Sequence, residues 1–120
     1  MKPQSAKAKG RKHQQETARV LVEVLKIDHS DAVSRPTGSP GEDIILSRAA
    51  KIAISPFTGF ECKAVERLNV WDAWDQAVAN SNFPIIVITK NRREMLAVVS
   101  YPLLLELLRE RNYLTESLHP

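Results

Sequence analysis

Two short apolar segments in the second half of the chain constrain its fold most. The segment 84–89 is a compact run rich in isoleucine and valine, and 95–99 is a second apolar run. The polar and basic link between them, at 90–94, is typical of a hairpin turn. We therefore expect two adjacent antiparallel strands, whose faces other elements of the chain must cover.

Helical periodicity covers four other parts of the chain. Apolar residues at spacings of three and four predict helices over 11–25, 70–80 and 101–111, the second of them capped by Asn69. A short helix is expected over 47–54, after a serine cap. The expected core face of the first helix consists of Val20, Leu21, Val24 and Leu25.

Three further short segments have the character of strands. They are 31–36, 44–46 and 60–64, and the strand at 44–46 is the expected neighbour of the one at 60–64. Two prolines and two glycines in 36–41 predict a turn-rich loop that leads into the second strand. The order of helices and strands predicts an α/β fold with a central mixed β-sheet flanked by helices.

The length and composition favour one intracellular domain. A chain of 120 residues has the usual size of a single domain with one core, and we assign 1–10 to a flexible basic arm and 11–120 to that domain. No apolar run approaches the length that crosses a bilayer, so we expect no membrane partner. The single Cys62 cannot form an internal disulfide, which favours a reducing, cytoplasmic setting.

Basic residues concentrate at the N-terminus. Residues 1–15 hold five of the 17 Lys and Arg residues and no acid, although the net charge of the chain is only +3. Such a segment suits a polyanion, because each phosphate contact releases counterions and adds affinity. A solvated leader or a basic address signal would have the same composition. The five residues are Lys2, Lys7, Lys9, Arg11 and Lys12.

The chemistry of the chain centres on Glu61 and Lys63. Side chains alternate along a strand, so these two project to one face while Phe60, Cys62 and Ala64 project to the other. Asp43 opens the preceding apolar strand and can supply a second carboxylate. Two carboxylates and a substrate phosphate are a sufficient site for Mg²⁺, and a neighbouring ammonium can stabilise charge on the phosphate. A surface Glu-Lys pair on an edge strand is the simpler alternative.

Other polar and aromatic residues have two interpretations each. Glu16 borders the apolar stripe of the first helix, where it either reaches a central site or complements the helix dipole. Trp71 and Trp74 are expected in the core or, preferably, in a dimer interface. His13 is expected outside the site, in contact with phosphate or solvent. Arg92 and Arg93 either contact a DNA backbone or belong to a solvated turn.

Several of these motifs, taken together, resemble a known family. Glu16 in an N-terminal helix, the loop Arg35-Pro36-Thr37-Gly38-Ser39, Asp43, Glu61-x-Lys63 and a following helix with Gln76 resemble the PD-(D/E)xK nuclease superfamily. The likeness is strongest to archaeal-type Holliday junction resolvases and their phage counterparts, and it covers roughly residues 9 to 108. It implies a restriction-endonuclease-like core, a homodimer, and cleavage of two opposed strands of a four-way DNA junction.

The resemblance also implies the roles of individual residues. Asp43, Glu61 and Glu16 would bind Mg²⁺, for which Mn²⁺ could substitute, and Lys63, Ser39 and Gln76 would complete the catalytic site. DNA contacts are expected at Lys7, Lys9, Arg11, Lys12 and Arg35. The proline of the superfamily motif is replaced before Asp43 by Glu42, which leaves open whether Glu42 or Asp43 faces the metal.

Two alternatives remain at the level of sequence. The same residues would serve another nuclease of this superfamily, of a repair or restriction type. In the other alternative, the chain is a non-catalytic basic protein that binds DNA or assists an assembly, and its carboxylates are structural. Cleavage of branched DNA in the host cytoplasm, by a cellular or phage-encoded protein, is the preferred expectation.

Overall fold

The computed structural model describes residues 3–118, with side chains described for residues 6–117. Its elements follow the predicted order. The helices are α1 (Pro3–Leu25), α2 (Arg48–Ile54), α3 (Val70–Asn80) and α4 (Tyr101–Leu118), and the strands are β1 (Ala32–Ser34), β2 (Ile44–Leu46), β3 (Gly59–Ala64), β4 (Pro84–Thr89) and β5 (Leu96–Val98). The α/β class is therefore confirmed.

The strands form two small sheets. Strands β3 and β4 are parallel, with Glu61 opposite Ile86, and α3 makes the crossover between them. The expected hairpin is present, since β4 and β5 are antiparallel. Strands β1 and β2 form a separate antiparallel pair, where a single mixed sheet was expected.

Asp43 explains why β2 does not continue the larger sheet. Its backbone N–H donates to the carbonyl of Phe60 over 3.1 Å, as a paired strand would. The next amide on the same edge of β3, that of Cys62, donates instead to the Asp43 carboxylate, over 2.6 Å. A side chain thus takes the place of a backbone acceptor, and the ladder stops at this residue.

Helix α1 is longer than predicted and buries a different face. It begins at Pro3, so residues 3–10 of the expected arm are helical. The buried face is formed by His13, Thr17 and Ala18, whereas Val24 is 69% exposed. The expected face was therefore wrong at its C-terminal end. Polar side chains are buried here because each has a hydrogen-bond partner, which hydrophobic periodicity does not register.

His13 and Thr17 obtain those partners from the backbone. His13 Nε2 lies 2.8 Å from the carbonyl oxygen of Val87 in β4, to which it donates, and the Thr17 hydroxyl donates to the carbonyl of His13 over 2.8 Å. The expectation that His13 contacts phosphate or solvent was wrong. The imidazole instead fixes α1 against the three-stranded sheet.

The two faces of the three-stranded sheet have separate cores. On the α1 side, Phe60 and Ala18 pack with Ile44, and Cys62 joins them. On the α3 side, Ala73 and Ala77 pack against Ile86, and Trp74 covers this group. Glu61 and Lys63 project to the α3 side, since their side chains contact α3.

Helix α4 is long and largely exposed. It reaches Leu118, seven residues beyond the predicted end, and it leaves Leu104, Leu105 and Leu108 between 38% and 45% exposed. Trp71 on α3 is 76% exposed, so it does not belong to the core. No helix within residues 3–118 is long and apolar enough to cross a membrane.

Candidate functional site

Glu61 lies at the centre of the site and is 7% exposed. Asn80 Nδ2 donates to its Oε1 over 2.9 Å. Burial, and after it the charge of nearby Asp43, raises the pKa of Glu61 to about 7, against the lowering effects of Asn80 and Lys63. The protonated carboxyl can also donate a hydrogen bond to Asp43. The carboxyl groups of Asp43 and Glu61 therefore lie close together in a partly desolvated site.

Lys63 lies two residues further along the same face of β3. Its Nζ donates to Gln76 Oε1 over 2.9 Å. Positions two residues apart on a strand are separated by about 7 Å, and positions four residues apart on a helix by about 6 Å. A helix packed antiparallel to the strand can therefore place one side chain opposite each of the two strand residues. Asn80 meets Glu61 and Gln76 meets Lys63 for this reason.

The loop before Asp43 is held by Arg35. The Arg35 Nε–H donates to the carbonyl of Glu42 over 2.5 Å, and the guanidinium lies so close to Gly41 that a Cβ there would meet it at 2.9 Å. Gly41 also has a φ of +113°, which L side chains rarely adopt. Glycine is therefore required at this position, immediately beside the carboxylates.

Asp43 opens into a basic cleft of about 240 Å³. Ser39 lies in the same cleft, and three cationic residues line it: Lys7, Arg11 and Arg35. The cleft wall is tied to the sheet because the Ser34 hydroxyl donates to Gln14 Oε1 over 2.9 Å. A carboxylate and three cationic side chains therefore line the same cleft.

Glu42, which like Asp43 precedes β2, faces a different part of the protein. Its side chain lines a different cavity, with Ile44 and Gly59, and a Cβ on Gly59 would meet Glu42 Cγ at 3.1 Å. Asp43, by contrast, contacts both Cys62 and Glu61. Of the two acids that the sequence left open, Asp43 is the one beside Glu61.

Glu16 is not brought to the other two carboxylates. Its Oε1 pairs with Arg19 over 2.6 Å, and the hydrogen bond from Arg19 lowers the pKa of Glu16. Within the described part of the chain, no group of three or more His, Cys, Asp or Glu residues is arranged to hold a metal. Arg19, one helical turn away, would compete with a metal for this carboxylate. The role of Glu16 as a third ligand stays a prediction.

The donor set of Asp43 and Glu61 fits a hard divalent cation. Such cations prefer carboxylate oxygens and retain waters, so two carboxylates are enough. The pKa of Glu61 is raised chiefly by burial and in smaller part by the charge of Asp43, and a cation bound between the two carboxylates would offset both effects. Cys62 packs against the core on the α1 side of the sheet, and burial raises the pKa of its thiol to about 12.

Asn80 is the site residue that sequence reasoning missed. The signal that could have identified it is its position four residues after Gln76 on the same helix, because a strand pair two apart matches a helix pair four apart. The ion pair between Arg19 and Glu16 could also have been recognised, because side chains three residues apart on a helix are neighbours.

Comparisons of the chain with protein-family models, with curated proteins and with solved structures find no match. The functional interpretation therefore depends on the residues and their geometry.

Proposed function

We propose that the protein is a Mg²⁺-dependent DNA endonuclease with a restriction-endonuclease-like core, which acts in the cytoplasm as a homodimer on four-way DNA junctions. The observation that carries the proposal is the pair of carboxyl groups of Asp43 and Glu61, of which Asp43 lines a cleft with three cationic residues. Lys63, on the same strand face as Glu61, supplies an ammonium beside that pair.

Each residue has a distinct task in this proposal. Asp43 and Glu61 would hold the cation, which activates water and offsets charge on the phosphate when it is bound. Gln76 keeps the Lys63 ammonium directed at the site, where it stabilises charge that develops on the phosphate oxygens. Lys7, Arg11 and Arg35 attract and orient the DNA backbone, and Ser39 lies beside them in the cleft.

The ionisation of Glu61 sets the pH range of the activity. A carboxyl with a pKa of about 7 is protonated in half of the molecules at neutral pH, and a protonated carboxyl is a poor ligand. At a Mg²⁺ concentration well below saturation, cleavage should therefore rise with pH through this value. A bound cation would in turn favour the ionised form, so the pKa should fall when the cation binds.

Two nicks related by symmetry require two sites. An isologous dimer supplies them with a single gene product. The exposed apolar side chains of α4 and Trp71 on α3 offer surface for such contact. The apolar face of α4 is the proposed main contribution, because its leucines lie on a helix that extends along the surface.

Cleavage assays with matched substrates test the proposal. A labelled four-way junction, a linear duplex and a flap are offered together with Mg²⁺, Mn²⁺ or EDTA. We expect metal-dependent, paired cuts in the junction. Equal cutting of all three would favour a repair or restriction-type nuclease, and no cutting of any would favour a non-catalytic DNA-binding or assembly protein.

The variant Asp43→Asn tests the site assignment. It removes one ligand charge but retains an oxygen that accepts the Cys62 amide, so we expect DNA binding to persist and cleavage to fall at least about 100-fold, the usual order for loss of electrostatic stabilisation at a reacting centre. Asp75→Asn, on the exposed side of α3, is the matched control. Full cleavage by Asp43→Asn would refute the assignment.

A further inference from the structure

A second and larger groove lies on the other side of α1. It encloses about 570 Å³ between that helix and the turn that joins β4 to β5. The helix contributes Lys9 and Lys12 to its walls, and the turn contributes Lys90, Arg92 and Arg93. Five cationic residues thus face one groove from two separate elements.

Few acids balance these cations. Glu16 and Glu66 are the carboxylates that line the groove, and Glu16 is already paired with Arg19 over 2.6 Å. Within the described side chains, no ion pair involves any of the five cationic residues. The groove therefore has an excess of positive charge that is not used to hold the fold together.

The backbone of the turn gives a second, independent observation. The N–H of Arg93 donates to the carbonyl of Lys90 over 3.2 Å and closes the turn, and Arg92 within it has a φ of +60°. Glycine or asparagine occupies this left-handed conformation at lower cost than arginine. Strained positions concentrate where a side chain has a task, and Arg92 lines the groove.

Helix α1 divides its basic residues between the two grooves. Lys7 and Arg11, one turn apart, line the cleft that holds Asp43, whereas Lys9 and Lys12 line the second groove. The helix is thus a basic wall with an opening on each side, and only one of the two openings contains Asp43.

We propose that the groove between α1 and the β4–β5 turn binds a second phosphodiester backbone of a nucleic acid, apart from the strand held at Asp43. A polymer with an anion at every repeat can engage both walls at once, whereas a single small anion would meet only a few of the five cations. The nature of the ligand rests on the proposed function, but binding here requires neither a metal nor cleavage.

The variant Arg92→Gly tests this directly. It removes one cation and relieves the left-handed strain, so the fold should be retained, with an unchanged or higher melting temperature. Binding of a labelled four-way junction is measured by fluorescence anisotropy in EDTA over a series of salt concentrations. We expect weaker binding and a slope of log K against log salt that is smaller by about 0.9, the value for one lost phosphate contact.

Lys26→Gly is the matched control. Lys26 also has a positive φ, of +55°, it is exposed, and it follows the end of α1 away from both grooves. The two variants make the same change in charge and relieve the same kind of strain. Lys26→Gly should bind as the wild type does. Equal losses in both variants, or wild-type binding by Arg92→Gly, would overturn the proposal.

A combined variant gives a second measurement. Lys90→Ala, Arg92→Gly and Arg93→Ala together should reduce the salt slope by up to about 2.7, three times the single contact, and an unchanged slope would contradict a backbone in the groove. Because EDTA prevents cleavage, these results are separate from those of Asp43→Asn. Wild-type binding by Arg92→Gly would refute DNA binding in the second groove and would leave the assignment of the carboxylate site unaffected.

Discussion

The pKa of Glu61 leads to a test of the site that needs no substrate. The carboxyl titrates near 4.5 in its ordinary state and near 7 in the folded protein. Each unit of difference corresponds to about 1.4 kcal/mol of folding free energy, so the shift corresponds to about 3 kcal/mol. The residue is only 7% exposed, and solvent screening therefore removes little of this cost.

The sign of the effect follows from proton linkage. Below pH 4.5 the carboxyl is protonated in both the folded and the unfolded chain. Between that value and about 7 the unfolded chain releases its proton while the folded protein retains it, so the free energy of unfolding decreases as the pH rises. Above about pH 7 both states are ionised, and the folded protein bears the full cost of the buried charge.

The substitution Glu61→Gln removes this dependence. Glutamine keeps the oxygen that accepts from Asn80 and carries no charge beside Asp43. We expect the variant to match the wild type within about 1 kcal/mol at pH 4.5 and to be more stable by about 3 kcal/mol at pH 8. Urea denaturation followed by circular dichroism at both pH values measures the difference.

The control for this experiment is Glu116→Gln on the exposed face of α4, which should show no such change with pH. The reasoning is refuted if Glu61→Gln is no more stable than the wild type at pH 8. It is equally refuted if the gain is the same at both pH values, since a packing effect would not depend on ionisation.

Two further predictions concern Asn80 and α4. The hydrogen bond from Asn80 lowers the pKa of Glu61, so Asn80→Ala should raise that pKa. The acidic limb of the plot of cleavage rate against pH should then move to higher pH. An unmoved limb would show that Glu61 does not control the pH dependence of cleavage. The double variant Leu104→Glu, Leu108→Glu places two charges on the exposed apolar side of α4, and it should be a monomer in sedimentation experiments. The control is Ile52→Glu, at a residue that is 67% exposed on α2. This variant should leave the association state unchanged. An unaltered dimer in the α4 variant would exclude this face as the interface.

Local signals in the sequence predicted most of the elements. Asn69 caps α3 through the amide of Asp72, and Ser47 caps α2 through that of Ala50, as their side chains favour. The β4–β5 hairpin is likewise specified by two apolar runs and a polar link. These features depend on neighbours in the chain, and a single sequence contains them.

The parts that escaped prediction depend on contacts between distant residues. The burial of His13 requires a carbonyl 74 residues away, and no periodicity reveals such a partner. The separation of β2 from the larger sheet follows from the Asp43 carboxylate, which accepts the Cys62 amide. These are properties of the assembled fold.

In the candidate site, too, the sequence predicted some of the contacts and not others. The strand period placed Glu61 and Lys63 on one face, where they contact Asn80 and Gln76 of α3, and Asp43 lies beside Glu61. Glu16 was expected to join them, but an ion pair with Arg19 holds its carboxylate. Competition between nearby charges is decided by side-chain geometry, which a spacing pattern does not contain.

The central claim is that Asp43 and Glu61 together hold a divalent cation, and a crystal grown at pH 8 with Mn²⁺ tests it most directly. We expect an anomalous difference peak between the two carboxylates, within about 2.2 Å of an oxygen of each, near the distances that hard cations of this size adopt. The same peak should be absent from Asp43→Asn. A peak elsewhere on the molecule, or none at this pair, would contradict the claim.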